Sequence, residues 1–413
     1  MDPKNKRSFI ALLGIAAIDN FGFALVFVMF APLFLSPEYH FFPEGTSLAT
    51  RNLYLAILFG AYPVTQFFGA PLLGDLADRI GRKKALIITV IGTIAGFALS
   101  GIACLFYSVS FLIISRLITG FFSGNLGICM SGIADISPTE NIRARNFGIL
   151  STAWAVSWNI AMVVGGYLSN PEQSKWLSPA VPFWITALLT FISLIILANY
   201  YTETHVHDDK HPFDLMKGIH NVARSLKIRT IRPFFLSILL WTIGWGLGVQ
   251  WYGTFSILNF QAAQQSISWG LFFQGAFWAL GGSLINPILV KRHQSLPISL
   301  VTLIGTGVLL VLASLPNSFL GFNLVYWPSA TICAIAFSNL MNLASINAPA
   351  GVQGKVMGMS QSVMSLGWIL VPILGATMGS NFTSLFYPVS GILILLGALV
   401  IFFQWIKKPA KTL

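Results

Sequence analysis

The chain alternates between long apolar runs and short polar ones. A helix crossing the hydrocarbon core of a bilayer needs about 20 apolar residues. Twelve runs of that kind can be marked. Six precede the middle, at about 9–35, 53–74, 85–106, 110–134, 147–169 and 180–201, and six follow it, at about 233–258, 267–290, 296–314, 319–346, 356–379 and 384–406. The first run follows Lys4, Lys6 and Arg7 but lacks a small-residue cleavage site. It is also too long for a signal peptide, so it is expected to be a retained helix.

The polar segments between the runs test this count. With the N-terminus placed in the cytoplasm, 21 of the 24 Lys and Arg fall in inside segments, including Arg79, Arg82, Lys83 and Lys84, then Arg143 and Arg145, and six between Lys210 and Arg232. The outside loops hold only Arg51 and Lys175, and Arg116 lies within a run. Such a bias follows the positive-inside rule, and one missed helix would scramble it. Both termini are therefore expected on the cytoplasmic side. The net charge of +11 reflects topology and is no sign of a nucleic-acid partner.

Composition agrees. Of 413 residues, 55% are hydrophobic and only 9% charged, whereas a soluble domain averages roughly 25% charged. A water-soluble enzyme of this size is excluded, because the chain has too few charges to coat its core. Cys104, Cys129 and Cys333 sit inside apolar runs, without the spacing of a disulfide framework or a zinc site. The one long polar connection divides the chain into an N-terminal bundle (1–204), a cytoplasmic linker (205–232) and a C-terminal bundle (233–413). The linker's Thr204–His211 run carries three histidines and reads as solvated chain, since no ordered metal scaffold is evident. The stretch at about 213–229 has the pattern of an amphipathic interfacial helix.

Between the second and third runs stands Gly74-Asp75-Leu76-Ala77-Asp78-Arg79-Ile80-Gly81-Arg82-Lys83-Lys84-Ala85-Leu86. It closely resembles the signature loop of the major facilitator superfamily, G-x-L-A-D-R-x-G-R-K-x-x-L. Arg116 to Gly120 resembles the family's R-x-x-x-G motif in helix 4. Asp19-Asn20-Phe21-Gly22 with Pro32 looks like helix 1 of the drug:proton antiporter branch, the tetracycline and multidrug exporters. Thr202-Glu203-Thr204 resembles the P-E-T ending of helix 6, and Gln353 to Gly358 with Ser365, Leu366 and Pro372 resembles the start of helix 11. One departure concerns helix 5, where that branch carries G-P-x-x-G-G. Here the stretch reads Ala161-Met162-Val163-Val164-Gly165-Gly166, and since that motif goes with export, its loss leaves the direction of transport open.

The resemblance implies an all-α integral membrane fold of twelve helices in two six-helix pseudo-symmetric bundles. These rock about a site near the membrane midplane. It also implies a cytoplasmic gate of Gly74, Asp78, Arg79, Gly81, Arg82 and Asp135, with Asp78 at the N-terminus of helix 11 and Arg82 paired with Asp135. Backbone N–H groups at such a terminus favour an anion by roughly 0.3–1 kcal/mol. Arg79, Lys83 and Lys84 can equally be there to set topology.

A charge inside a span costs roughly 3 kcal/mol or more and usually marks function. Only Asp19 and Arg116 lie well inside the runs, and no Asp or Glu occurs from Lys217 to Leu413. Asp19 is thus the one candidate for proton coupling; the alternative is an Asp that ties helix 1 to helix 4. By helical rise, Asp19 and Arg116 differ in depth by about 13 Å. Asn125, at nearly the depth of Asp19, is the better neighbour, and Arg116 is left to hold backbone carbonyls or an anionic substrate group.

The cavity is sketched by Tyr62, Gln66, Arg116, Asn125, Trp154, Trp158 and Asn159 in the first half, and by Trp241, Trp245, Gln250, Gln274, Trp278, Asn339 and Asn342 in the second. Amides are costly in lipid unless they face a partner or a wet cavity, whereas a Trp more often packs between helices. Such an aromatic, nearly uncharged lining suits an amphipathic small organic solute. The expected partners are that solute, protons and the lipid bilayer. No cofactor and no resident metal is expected, and family habit points to a monomer. No ATP-binding loop is visible, and no nucleophile–base pair lies in the runs. The chain therefore reads as a gradient-driven transporter of a bacterial cytoplasmic (inner) membrane, either an exporter or an importer of a nutrient.

Overall fold

The computed structural model describes residues 2–36, 39–137, 139–171, 173–174, 176–204, 216–349, 356–378 and 382–407. Residues 205–211 of the histidine run, residues 353–355 ahead of helix 11, Lys175, Lys408 and Lys411 lie outside these ranges. Among the described residues every element is helical. This is what lipid demands, because it offers backbone N–H and C=O groups no partner of its own.

The first half comprises α1 (Pro3–Leu35), α2 (Leu48–Ile80), α3 (Arg82–Leu105), α4 (Val109–Phe122), α5 (Asn125–Asp135), α6 (Glu140–Leu168) and α7 (Val181–Tyr200). The second half comprises α8 (Lys217–Lys227), α9 (Arg232–Gln250), α10 (Tyr252–Phe260), α11 (Gln264–Ala279), α12 (Asn286–Leu289), α13 (Ser295–Leu312), α14 (Phe319–Ile346), α15 (Val356–Met378) and α16 (Phe386–Lys407). Among the described residues, eleven stretches are long and apolar enough to span a bilayer, with α4 and α5 counted together. The twelfth expected span, at about 267–290, falls outside that count because it is interrupted. After α11 the chain widens into a π-helical segment, Leu280–Ile285, before α12. Pro287 explains the interruption: it has no N–H, and its ring crowds the carbonyl four residues earlier, so a π turn relieves the clash.

Two other expected helices are broken as well. The run at about 110–134 bends at Ser123–Gly124, where the Ser123 hydroxyl donates to the Gly120 carbonyl at 2.6 Å and ends α4. The run at about 233–258 breaks at Trp251, between α9 and α10. Elsewhere the helices outrun their apolar cores. α1 has 33 residues, roughly 50 Å by its rise, and carries Lys4, Lys6 and Arg7 in its first turns. Hydropathy marks the part of a helix that sits in lipid, and these helices continue beyond it.

The chain divides into two compact units, residues 1–45 with 57–217, and residues 46–56 with 218–413. In the first, α1 packs against α5, α6 and α7, and α3 packs against α4 and α7. In the second, α9 packs against α14, α15 and α16, α13 against α14 and α16, and α11 against α14. Both expose large apolar side chains that suit lipid, such as Leu188 (58% exposed) in the first and Val301 (69%) in the second. The polar residues are gathered inside: Arg116, Asn125 and Asn339 are each 1% exposed. α8 is the exception, presenting Lys217, Arg224 and Lys227 together with exposed Ile219 and Leu226.

Candidate functional site

The polar centre of the first unit begins with a close helix contact. A Cβ on Gly120 would lie 2.3 Å from the Tyr62 carbonyl oxygen, so only glycine lets α4 approach α2 this closely. One turn earlier on α4, Arg116 is thereby carried under the Tyr62 ring. Its guanidinium carbon stands 4.8 Å from the Tyr62 ring centre and 5.8 Å from that of Phe30. Such a cation–π contact is worth about 2 kcal/mol or more when water is excluded. The R-x-x-x-G spacing thus has a local cause. Nε and Nη1 of Arg116 are buried without a hydrogen-bond partner. Among the described contacts Arg116 forms no direct ion pair with Asp19, yet the two charges lie near enough to attract each other.

Asp19 is instead met by Asn125, whose Nδ2 donates to the Asp19 Oδ1 at 3.2 Å and lies 3.5 Å from the Thr93 hydroxyl. The break at Ser123–Gly124 makes Asn125 the first residue of α5, which turns it toward α1. Next to Asp19, the Asn20 amide donates to the Trp154 carbonyl at 2.8 Å and to the Ser157 hydroxyl at 3.0 Å, tying α1 to α6. Trp158 packs on Phe27 (5.2 Å between ring centres) and Phe23 (6.3 Å), and Phe23 in turn meets Tyr62 at 5.2 Å. Tyr62, Trp158 and Arg116 therefore share one aromatic patch. Trp154 is 42% exposed and contributes only its carbonyl to this network. Gln66 is half-buried one turn beyond Tyr62, and Asn159 donates to the Ala155 carbonyl of its own helix at 2.9 Å.

A second cluster gathers at the turn between α2 and α3. Gly81 has φ of +93°, a conformation that favours glycine, and it leaves the start of α3 without a capping side chain. The cap comes from the far end of the unit: Glu203 accepts from the Arg82 N–H at 3.1 Å and from the Lys83 N–H at 3.0 Å. The Arg82 guanidinium pairs with Asp135 at the end of α5. The same Asp135 oxygen accepts from the Thr204 hydroxyl at 3.0 Å, and the Tyr201 hydroxyl lies 3.0 Å from that of Thr204. Since Thr204 donates its one proton to Asp135, Tyr201 must donate to Thr204. Burial pushes the Tyr201 phenol up to about 12, so it stays a neutral donor. Lys83 donates to the Ala198 carbonyl at 2.8 Å, which gives it a structural tie besides its charge. Asp75 pairs with Lys217 of α8, while Asp78, Arg79 and Gly74 lie half-buried toward the end of α2.

In the second unit the aromatic residues pack together. Trp241 stacks on Phe337 (4.8 Å), and Trp278 lies against both Trp241 (6.0 Å) and Trp245 (5.5 Å). Gln250 and Gln274 are each 3% exposed, with Oε1 atoms that no donor reaches. Asn339 donates to the Asn286 Oδ1 at 2.7 Å, bracing the helix where it leaves the π segment. Asn342 is exposed and donates to Ser295 at the start of α13. The sequence missed Glu203 as a cap and Asn286 as a partner. The available signals were a helix start without Ser, Thr, Asp or Asn, and an Asn beside a proline.

Multi-pass helices that enclose a polar centre in apolar walls fit a membrane transporter. Residues 12–372 match the family model described as Major Facilitator Superfamily, and the chain belongs to that superfamily. It is 25% identical over 410 residues to the class H tetracycline resistance protein of Pasteurella multocida, covering 95% of this chain and 94% of that protein. It is 24% identical over 338 residues to the quinolone resistance protein NorA of Staphylococcus aureus (strain MSSA476), covering 78% and 80%. The fold is shared with the crystal structure of the human organic anion transporter MFSD10, at a TM-score of 0.71 and 16% identity, covering 97% of this chain and 100% of that one. Transport by alternating access is general to this fold.

Proposed function

We propose that the protein exports an amphipathic small organic solute, a drug-like compound or a metabolite such as a siderophore, in exchange for protons. Asp19 supports this reading most directly. It is the one carboxylate well inside the apolar runs, and an amide holds it at the start of α5. Desolvation disfavours the charged form of any carboxylate, so a group in this position can take and release a proton as its surroundings change. The names of the tetracycline- and quinolone-resistance relatives support the choice of a drug-like solute. In this reading aromatic residues such as Tyr62 and Trp158 face the solute. The Arg82–Asp135 pair and Asp78 belong to the gate on the cytoplasmic side, which is closed while the site opens outward. The setting is a bacterial cytoplasmic membrane, with both termini inside and the protein acting as a monomer.

A second reading, import by proton symport or uniport of a sugar, peptide-like compound or siderophore, rests on α6. That helix runs unbroken over 29 residues, with Ala161 and Met162 where exporters carry Gly-Pro. The deciding experiment measures proton release when tetracycline, a fluoroquinolone or a siderophore is added to purified protein, wild type against Asp19→Asn. Release lost in the variant supports antiport through Asp19. Release that survives moves the proton to another group. Binding with no release in either protein favours the importer.

A further inference from the structure

The second compact unit, residues 46–56 with 218–413, carries Lys and Arg side chains but no Asp or Glu. No carboxylate side chain of its own balances that charge. The charge is densest in α8 and the turn that follows, where Arg224, Lys227, Arg229 and Arg232 are all exposed. The acidic residue next ahead of them in sequence is Asp214, which lies outside the described residues. Among the described residues, the ion pair of this segment is that of Lys217 with Asp75. Residues three, four or seven apart share a helix face, and on that spacing α8 divides into three rows. Gly218, Asn221 and Ser225 form the packed row: Gly218 and Ser225 are buried, and the Asn221 amide donates to the Ser362 hydroxyl of α15 at 3.2 Å. Ile219 and Leu226, seven apart and both exposed, form an apolar row. Arg224 and Lys227, three apart, form a basic row beside it. Ser362 is the seventh residue of α15, about 9 Å from its start by helical rise, and it falls near the beginning of the apolar span Gly358–Met378. The Asn221 contact therefore holds α8 at the edge of the apolar layer.

We propose that α8 is a docking surface for anionic phospholipid, with Ile219 and Leu226 against the acyl chains and Arg224 and Lys227 on the headgroup phosphate. Arg229 and Arg232, close behind in sequence, add to the attraction. A helix with an apolar row next to a basic one lies in the plane of the membrane interface, where each row meets its own solvent. The planar fork of an Arg suits phosphate oxygens, and a Lys adds a compact charge. Clusters of Lys and Arg at the end of a span are drawn to anionic headgroups for this reason. The lipid supplies the negative charge that the second unit lacks. A free phosphate would satisfy the basic row but leave Ile219 and Leu226 in water, which is unfavourable for apolar surface. A zwitterionic lipid would cover the apolar row and leave the net positive charge unbalanced. An anionic lipid answers both. This contact does not depend on the solute or on the direction of transport.

The test is hydrogen–deuterium exchange of the peptide spanning α8 in the full-length protein. The protein is held in nanodiscs of phosphatidylcholine alone, or of phosphatidylcholine and phosphatidylglycerol in equal parts. Phosphatidylglycerol is expected to slow exchange of α8 by at least about fivefold, the contribution of a single Lys or Arg near an anionic surface. Salt at about 1 M, where the Debye length is about 3 Å, is expected to remove most of the difference. The double variant Arg224→Gln with Lys227→Gln should lose it, and Arg224→Lys with Lys227→Arg, which keeps both charges, should retain it. Exchange equal to the wild type in phosphatidylcholine shows that a variant has not unravelled the helix, so its lost response reports the headgroup contact alone. Ile219→Ser with Leu226→Ser should also weaken the response. Equal exchange of the wild-type helix in the two discs would overturn the proposal, as would an undiminished difference in the glutamine double variant. Inorganic phosphate added to the phosphatidylcholine discs should leave exchange unchanged. Protection as large as that from phosphatidylglycerol would make this a free-anion site and overturn the lipid.

Discussion

Glu203 offers a local test of how the first unit is held together. The first four N–H groups of a helix have no intrahelical partner, and Gly81 supplies no side chain to satisfy them at the start of α3. The Glu203 carboxylate reaches across from beyond α7 and accepts two of them, at 3.1 and 3.0 Å. A single N-cap side chain contributes about 1 kcal/mol, and a negative charge at a helix N-terminus adds about 0.3–1 kcal/mol. Glu203 is exposed to solvent, and the two contributions together put the expected cost of Glu203→Ala at about 1–2 kcal/mol in the first turn of α3. At 1.4 kcal/mol per tenfold change, local opening becomes about 5- to 30-fold more frequent. Hydrogen–deuterium exchange of the peptide containing Arg82, Lys83 and Lys84 measures this directly. Glu203→Gln keeps one acceptor oxygen but loses the charge, and is expected to show roughly half the free-energy effect. Unchanged exchange at these amides in the alanine variant would refute the capping role.

Gly120→Ala is expected to destabilise the protein by about 1–3 kcal/mol, the usual range for overpacking, because the new methyl would meet the Tyr62 backbone. Thermal unfolding in detergent checks this against Gly127→Ala, whose Cβ meets nothing within 4 Å. Arg82→Ala and Asp135→Asn remove the same ion pair. In a double-mutant cycle of unfolding free energies they should fall short of additivity by about 0.5–3 kcal/mol; additive losses would mean that the pair contributes nothing.

How much of this was legible from sequence depends on the range of the interaction. The spans follow from composition, because lipid selects apolar residues wherever they stand. Placing Asn125 beside Asp19 needs only the rise per residue, and the Asp19–Asn125 hydrogen bond is present. The breaks were hidden. Ser123 and Gly124 look like ordinary members of an apolar run, and what ends α4 is a hydroxyl turning back onto the Gly120 carbonyl. Asn342 reads as a lining amide by its position in a run, yet it is tied to Ser295, 47 residues away in sequence. The Glu203 cap joins residues 121 apart in sequence, and no local pattern records such a contact.

The break between α4 and α5 changes what helix 4 can do. As one rod, it would move the Arg116 contact and the Asp135 contact together. Instead Arg116 belongs to α4, pinned to α2 through Gly120 and Tyr62. Asn125 and Asp135 are the first and last residues of α5, a single rigid piece of 11 residues and roughly 15 Å. Its N-terminal amide lies on Asp19 and its C-terminal carboxylate lies on Arg82 and Thr204. A change at the Asp19 carboxylate alters the partner that Asn125 holds, at one end of a helix whose other end is the ion pair. α4 need not move with it, because the helical hydrogen-bond ladder is interrupted at Ser123–Gly124. Arg116 and Asn125, the residue that holds Asp19, therefore stand on separate helical pieces, α4 and α5, on either side of the break.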